Sequence, residues 1–291
     1  RGMAVVAAGC GEAKRFSCPY HGWTYDQTGS LVGVSEEGTF GTVDRSERGL
    51  TALPSGERAG LIFVGLTPGM PFDLDAHLAG ADRHLSAEEP EKLYHGGGRL
   101  VEAPNWKIVV EGHLESYHFS NLHRNSIAPI TFSNCATIDR FGPHILITFA
   151  QRHILDLLDL PESEWEPVRN RMITPQYILF PGAAITLIGD GLYAQLFQPD
   201  GEVGRSINRM IAGFHRQPDD PETAAAQNQF LDSVSALVDK EDYVAGRAIQ
   251  RGLGSGAQSE LIFGRNEPGP IYFHEAMDAA MKASSKRAAA E

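Results

Sequence analysis

The chain is poor in cysteine, short of positive charge and without a long unbroken apolar run. Three cysteines, Cys10, Cys18 and Cys135, are spread over 291 residues. An odd, sparse set is a poor disulfide framework and points to a reducing compartment. Lys and Arg number 25 against 37 Asp and Glu, a formal net charge of −12. That balance argues against nucleic acid and anionic membrane surfaces as partners, since both call for clustered cations. The longest apolar stretch, Tyr177–Phe197, is broken by Pro181, Gly182, Gly189, Asp190 and Gly191. Turn residues at that density give strands joined by tight turns, not a membrane helix. The opening residues, Arg1-Gly2-Met3-Ala4, are too polar-broken for a secretory signal. A cytoplasmic location is expected. The chain does not begin with Met, so its numbering is read as starting inside a longer protein.

What is present is an ordinary globular composition, 42% hydrophobic and 21% charged. The length suits one large or two moderate domains with a core that needs no disulfide staple. Residues 1–66 read as short strands punctuated by glycine: Met3–Ala8, Trp23–Tyr25, Leu31–Val34 and Leu61–Val64. Residues 67–100 are rich in Pro, Asp and Gly and read as a connector, with a short helix near Asp75–His84. From Trp106 to about Phe119, Val109, Val110, Leu114 and Tyr117 recur at helical spacing. Strand-like segments follow at 145–151, 176–180, 184–188, 193–198 and 206–214, with Asp190-Gly191 as a hairpin signal. Helices return at Pro221–Val238 and Glu241–Arg251, the first opened by proline and the second closed by Gly252. The fold class is α+β: a small all-β domain over 1–66, then a domain over 67–291 of helix, antiparallel sheet and helices. After Ala279 only an Ala/Lys/Ser-rich tail is read.

Two constellations carry chemistry. In Phe16-Ser17-Cys18-Pro19-Tyr20-His21-Gly22-Trp23, a thiol and an imidazole share one loop at Cys-x-x-His spacing. That spacing lets both reach one metal from a single turn, although a buried cysteine beside an unrelated surface histidine reads the same way. The second constellation begins in Asn105–His123. Glu111, Glu115 and His118 fall on one face of the expected helix, beside an apolar stripe. Ionisable groups there are costly unless paired or metal-bound. His118 and His123 would splay apart on an ideal helix, and converge only if it ends or bulges near Ser120-Asn121. Asp242, far along the chain, aligns with Ala245, Gly246, Ile249 and Leu253. An aspartate there is either a first-turn cap or a group reaching inward to a metal. His113 reads as a packing residue or a competing ligand, and Glu111 as a structural partner. The remaining histidines have no ligand spacing.

With their flanking residues, both segments resemble Rieske-type ring-hydroxylating oxygenases, catalytic (alpha) subunit. The Cys18–Trp23 loop looks like the second ligand loop of a Rieske [2Fe–2S] centre, in which two Cys and two His hold the irons. The resemblance implies that Cys18 and His21 are half of the ligand set. It also implies that the first pair lies just ahead of Arg1-Gly2, with Cys10 no substitute. The Asn-Trp-Lys…Glu115…His118…His123 run and the Glu241-Asp242…Gln250-Arg251-Gly252-Leu253 run resemble the family's catalytic domain. On that resemblance His118, His123 and Asp242 form a facial triad around a mononuclear Fe(II), and Glu115 bridges a Rieske histidine of one subunit to an iron histidine of the next. Gly112 and His113 depart from the family pattern without touching these residues. The activity implied is O₂ activation and hydroxylation, or oxidative demethylation, of a small molecule. It would use NAD(P)H electrons through a reductase or ferredoxin, in a homotrimer. The strands of 145–214 read as mostly apolar, which favours a hydrophobic, aromatic substrate, as in aromatic hydrocarbon catabolism. His144 lies in a sheet that in this family lines the pocket. The second unit also resembles the helix-grip lipid-binding fold, so a non-catalytic carrier of hydrophobic ligands is the alternative. A Rieske ferredoxin fails on length.

Overall fold

The computed structural model describes residues 2–6 and 11–288, so Arg1 and Cys10 lie outside the described residues. The chain divides into two compact units. One runs up to Glu57 and includes Ile62–Asp73; the other takes Arg58–Leu61 and everything from Leu74 on.

In the first unit, β1 (Arg15–Ser17), β2 (Thr24–Asp26) and β3 (Leu31–Gly33) pair antiparallel in that order. Turn chemistry keeps the strands short. The chain folds back through Cys18–Trp23, where the Cys18 amide donates to the Trp23 carbonyl (2.8 Å) and the Gly22 amide to the Cys18 carbonyl (2.9 Å). Gly22 sits at φ 72°, a conformation that favours glycine. Asp26 closes the next turn. Its carboxylate accepts from the Thr28 hydroxyl (2.7 Å) and the Thr28 and Ser30 amides (2.9 and 3.0 Å). Those bonds, the Thr28 hydroxyl foremost, hold its carboxyl below the usual range. The strand expected at Met3–Ala8 is not formed over residues 3–6, and 7 and 8 lie outside the described residues. A separate ribbon, β4 (Ser55–Arg58) with β5 (Leu61–Val64), turns at Ala59 and Gly60, both at positive φ as a primed hairpin turn requires.

The second unit opens with α1 (Leu74–Leu78) and α2 (Ala81–Ser86). These are two helices where one was expected near Asp75–His84, split at Gly80 with φ 94°. Next comes β6 (Tyr94–Pro104), an eleven-residue strand inside the stretch expected to be connector to residue 100. Gly96, Gly97 and Gly98 hide it from a propensity reading, and their neighbours explain two of them. A Cβ on Gly96 would lie 2.3 Å from the Phe214 ring, and one on Gly98 2.9 Å from the Met210 carbonyl. After α3 (Trp106–His113) the chain meanders through β7 (Thr131–Phe141), β8 (His144–Gln151), α4 (Trp165–Met172), β9 (Ile173–Leu179), β10 (Ala183–Ile188), β11 (Gly191–Pro199) and β12 (Arg205–Phe214). The result is a seven-stranded sheet in the order β6-β12-β11-β10-β9-β8-β7, antiparallel at each pairing. β7 escapes the sequence pattern because it is an edge strand, mostly exposed and irregular between Thr131 and Ala136.

The helices α5 (Pro221–Lys240), α6 (Asp242–Gly254) and α7 (Pro268–Ala288) complete the unit. The Asp220 carboxylate caps α5 by accepting from the Thr223 amide (2.8 Å). The α7 stretch corrects the reading of the chain after Ala279 as a tail. One cross-strand row of the sheet runs Ile145, Ile178, Ala184, Gln195, Met210. Four of these, all but Gln195, join Val109, Val110, Leu114, Val238, Tyr243 and Phe273 in one buried cluster between sheet and helices. α6 packs on β6 and on α3. It comes close because Gly246 has no side chain: a Cβ there would lie 2.6 Å from Pro104 Cγ. Among the described residues no helix is long and apolar enough to cross a membrane.

His144 is buried in this sheet. Its Nε2–H donates to the His77 carbonyl (2.8 Å), and its Nδ1 accepts from the Phe180 amide (3.0 Å). Both bonds suit the neutral ring, and burial pulls its pKa down to about 4. The unfolded chain therefore takes up a proton below the usual histidine value of about 6.5 while the folded chain does not. Stability contributed by neutral His144 is present above that value and is lost as pH falls toward 4, at up to about 1.4 kcal/mol per pH unit. Denaturant unfolding between pH 7 and 4 is expected to show this slope, reduced by about one proton in His144→Gln. An unchanged slope in the variant would assign the acid sensitivity elsewhere.

Candidate metal centre

The segment from Trp106 to Ala128 places two histidines by ending a helix early. α3 stops at His113, not near Phe119, and a 3₁₀ turn follows over Tyr117–Ser120. To continue, the Tyr117 amide would have to donate to the His113 carbonyl. That carbonyl instead accepts from Gln176 Nε2 (2.6 Å), and the Tyr117 amide donates to the Glu115 carboxylate. The expectation that Glu111, Glu115 and His118 share one helix face is corrected accordingly. Glu111 stays on α3 and pairs with His274 Nε2 (3.0 Å). Burial raises its carboxyl pKa against the pull of that imidazole.

Glu115 turns back on its own chain. One carboxylate oxygen takes the amides of Tyr117 and His118, the second at 3.1 Å, and the other oxygen takes His118 Nδ1. A carboxylate can only accept, so this nitrogen carries the proton and Nε2 faces away. The next residues curl, with the Asn121 and Leu122 amides both donating to the His118 carbonyl (3.1 and 2.8 Å). That curl brings His123 beside His118, with ring centroids 5.0 Å apart. His123 is 1% exposed.

Asp242 arrives from the other end of the unit. It is the first residue of α6, and its carboxylate turns inward, Oδ1 lying 3.1 Å from His123 Nε2 and 3.7 Å from His118 Nε2. The three side chains offer ligand atoms that all lie within 4.8 Å of one another, and no other such group of three exists among the described residues. The preceding residue, Glu241, places Oε2 2.6 Å from His123 Nδ1. Burial disfavours a charge on His123, but its bonds with Asp242 and Glu241 outweigh this and raise its pKa. Glu241 and Ser126, whose hydroxyl donates to the same Oε2 (2.7 Å), are parts of the site that the sequence reading passed over. No spacing around residue 241 signals either, because the groups they meet lie on another segment of the chain.

His113 does not join these donors. Its Nδ1–H donates to the Val109 carbonyl (2.9 Å), its Nε2 accepts from Gln195 Nε2 (2.8 Å), and burial pushes its pKa down. The network continues: Asn208 Nδ2 donates to Gln195 Oε1 (2.7 Å) and to the Tyr243 hydroxyl (2.6 Å), and the Thr186 hydroxyl to Gln176 Oε1 (2.8 Å). The interior over 145–214 is mostly apolar, as expected, with Gln176, Thr186, Gln195 and Asn208 as a buried polar network within it.

In the first unit, Cys18 is half-buried and His21 exposed on the turn described above, with the Tyr20 ring against His21. Among the described residues no third histidine, cysteine or carboxylate converges with them. Cys135 is exposed on β7.

Residues 89–283 match the model of the ring-hydroxylating alpha subunit (catalytic domain), and residues 1–44 that of the Rieske [2Fe–2S] domain. The chain belongs to the ring-hydroxylating oxygenase alpha subunits. The family carries a Rieske [2Fe–2S] cluster and a mononuclear iron. Choline monooxygenase of Beta vulgaris is 22% identical over 86% of this chain and 54% of its own length. The glycine betaine monooxygenase oxygenase subunit of Chromohalobacter salexigens is 30% identical over 42% of this chain and 27% of its own. The chain thus spans between about a quarter and a half of these curated relatives. Among solved structures, the quaternary ammonium Rieske monooxygenase CntA superposes with a TM-score of 0.77 at 18% identity, covering 96% of this chain and 75% of CntA. Naphthalene 1,2-dioxygenase from Rhodococcus superposes with a TM-score of 0.63 at 24% identity, covering 87% and 67%. Those likenesses show the shared fold.

The second unit's donors fit the family's iron. Two imidazole Nε2 atoms and a carboxylate oxygen converge, while carboxylates hold both Nδ1 atoms. The first unit's described residues include one Cys and one His, Cys18 and His21, against the four ligands a Rieske cluster takes.

Proposed function

We propose that this chain is the catalytic part of a Rieske non-heme iron oxygenase. Residues 1–66 form the C-terminal part of its Rieske domain, with Cys18 and His21 as cluster ligands, and 67–291 its catalytic domain. His118, His123 and Asp242 hold a ferrous ion. The observation that carries this reading is the meeting of Asp242 with two imidazoles more than a hundred residues earlier in the chain. An iron held by one carboxylate and two histidines supplies O₂ activation with coordination positions left open for O₂ and substrate. The chain's own residues do the positioning. Glu115 fixes the His118 ring with Nε2 toward the other donors, and by the family resemblance it would pass electrons to His118 from a neighbouring subunit's cluster in a homotrimer. His123 is shielded from water, with the Phe119 ring against it.

The partners are a reductase or ferredoxin, O₂ and a small organic substrate, in the cytoplasm. Two substrate classes compete. The apolar strands favour an aromatic, hydrophobic compound; the buried Asn208 Oδ1, which has no hydrogen-bond partner among the described residues, favours one that brings a polar or cationic group. A helix-grip carrier without catalysis has no use for three converging metal donors. The test supplies an N-terminally complete protein, with all four cluster ligands, with a reductase and a panel of aromatic and quaternary ammonium compounds. O₂ uptake is expected to require both reductant and one class of substrate, with an oxidised product. Substrate binding without any O₂ uptake would favour the carrier.

A further inference from the structure

His123 is held at both ring nitrogens by successive residues, Glu241 at Nδ1 (2.6 Å) and Asp242 at Nε2 (3.1 Å). These residues lie where α5 ends and α6 begins, so one backbone junction delivers both carboxylates. Glu241 is itself steadied: its amide donates to the Leu237 carbonyl (3.0 Å), and its Oε2 receives the Ser126 hydroxyl (2.7 Å) from the same curl that carries His123. A carboxylate is an acceptor only, so without a metal both ring nitrogens carry protons; a metal bound beside Asp242 displaces the Nε2 proton, and the proton facing Glu241 is the one that stays.

We propose that Glu241 is a positioning residue of the iron site, selecting the Nδ1–H tautomer of His123 and fixing its ring plane toward Asp242. This rests on the assignment of His118, His123 and Asp242 as ligands. The role differs from that of Glu115. Glu115 and His118 share one turn, whereas Glu241 reaches His123 across more than a hundred residues and ties the orientation of the ring to the seating of α6. Outer carboxylates of this kind are worth about 10- to 100-fold in metal affinity.

The experiment titrates the full chain with Co(II), read by its visible absorption, in the wild type and in Glu241→Ala, Glu241→Gln and Asp242→Ala. Glu241→Ala is expected to weaken binding about 10- to 100-fold. Glu241→Gln keeps an acceptor of the same shape and is expected to stay within about threefold of wild type. Wild-type affinity in Glu241→Ala overturns the proposal. Wild-type affinity in Asp242→Ala instead overturns the ligand assignment, so the two failures are distinguishable. A second readout needs no variant to fold. With Zn(II) bound to the wild-type chain, the His123 Nδ1–H is expected as a resolved, slowly exchanging signal in nitrogen-correlated proton spectra. Its absence would also overturn the proposal.

Discussion

Asp242→Ala is expected to lose its iron and, with it, at least about 100-fold of turnover, while the fold survives. The substitution removes the one anionic donor and leaves two neutral imidazoles, one of them 1% exposed. Two imidazoles without the carboxylate fall short of the three-donor set that defines such a site. The cost to folding is small, because the carboxylate sits in the first turn of α6, where its interaction with the helix dipole is worth about 0.3–1 kcal/mol. Iron content per chain together with a thermal unfolding curve separates these effects. A variant that unfolds near the wild-type temperature and still retains one iron per chain would exclude Asp242 as a ligand.

Glu115→Ala should be damaging in a different way. Its carboxylate takes three N–H groups at once, the Tyr117 and His118 amides and His118 Nδ1. Without it the Tyr117 and His118 amides lose their acceptor within the turn. The turn that carries His118 therefore loses its internal bonds, at a cost of about 1–3 kcal/mol for the amide left unsatisfied. The His118 ring also loses the acceptor that selects its tautomer. Iron affinity is expected to fall about 10- to 100-fold, with a loss of stability beside it. Ferrous-ion titration and denaturant unfolding check both. If Glu115→Ala bound iron as tightly as the wild type, Glu115 would have no role in holding His118.

The sequence carried much of this site because metal chemistry selects residue types at particular spacings. The expectation that His118 and His123 need a helix end between them was sound in kind, but the end lies before Glu115 and not at Ser120. The chain leaves α3 with the His113 carbonyl bonded to Gln176 of β9, and no window around residue 115 contains that partner. Glu241 was illegible for the same reason, since its partner lies on another segment. In the fold, the strands with alternating or continuous apolar residues, β8 to β12, stood out. β6 did not, because Gly96 and Gly98 answer to Phe214 and Met210 across the sheet. The end of α7 was hidden by the small residues after Ala279, which read as a tail, while Phe273 in its first half is a core side chain.

Gly246 lies four residues beyond Asp242, on the stretch of α6 that comes against Pro104 and Ile108. The reach of the aspartate toward the imidazoles is thereby set by an atom that is missing one turn away. A methyl group there would act as a shim, backing the helix off the strand and carrying the carboxylate outward with it. The bite of the three donors is tuned at a place that touches none of them.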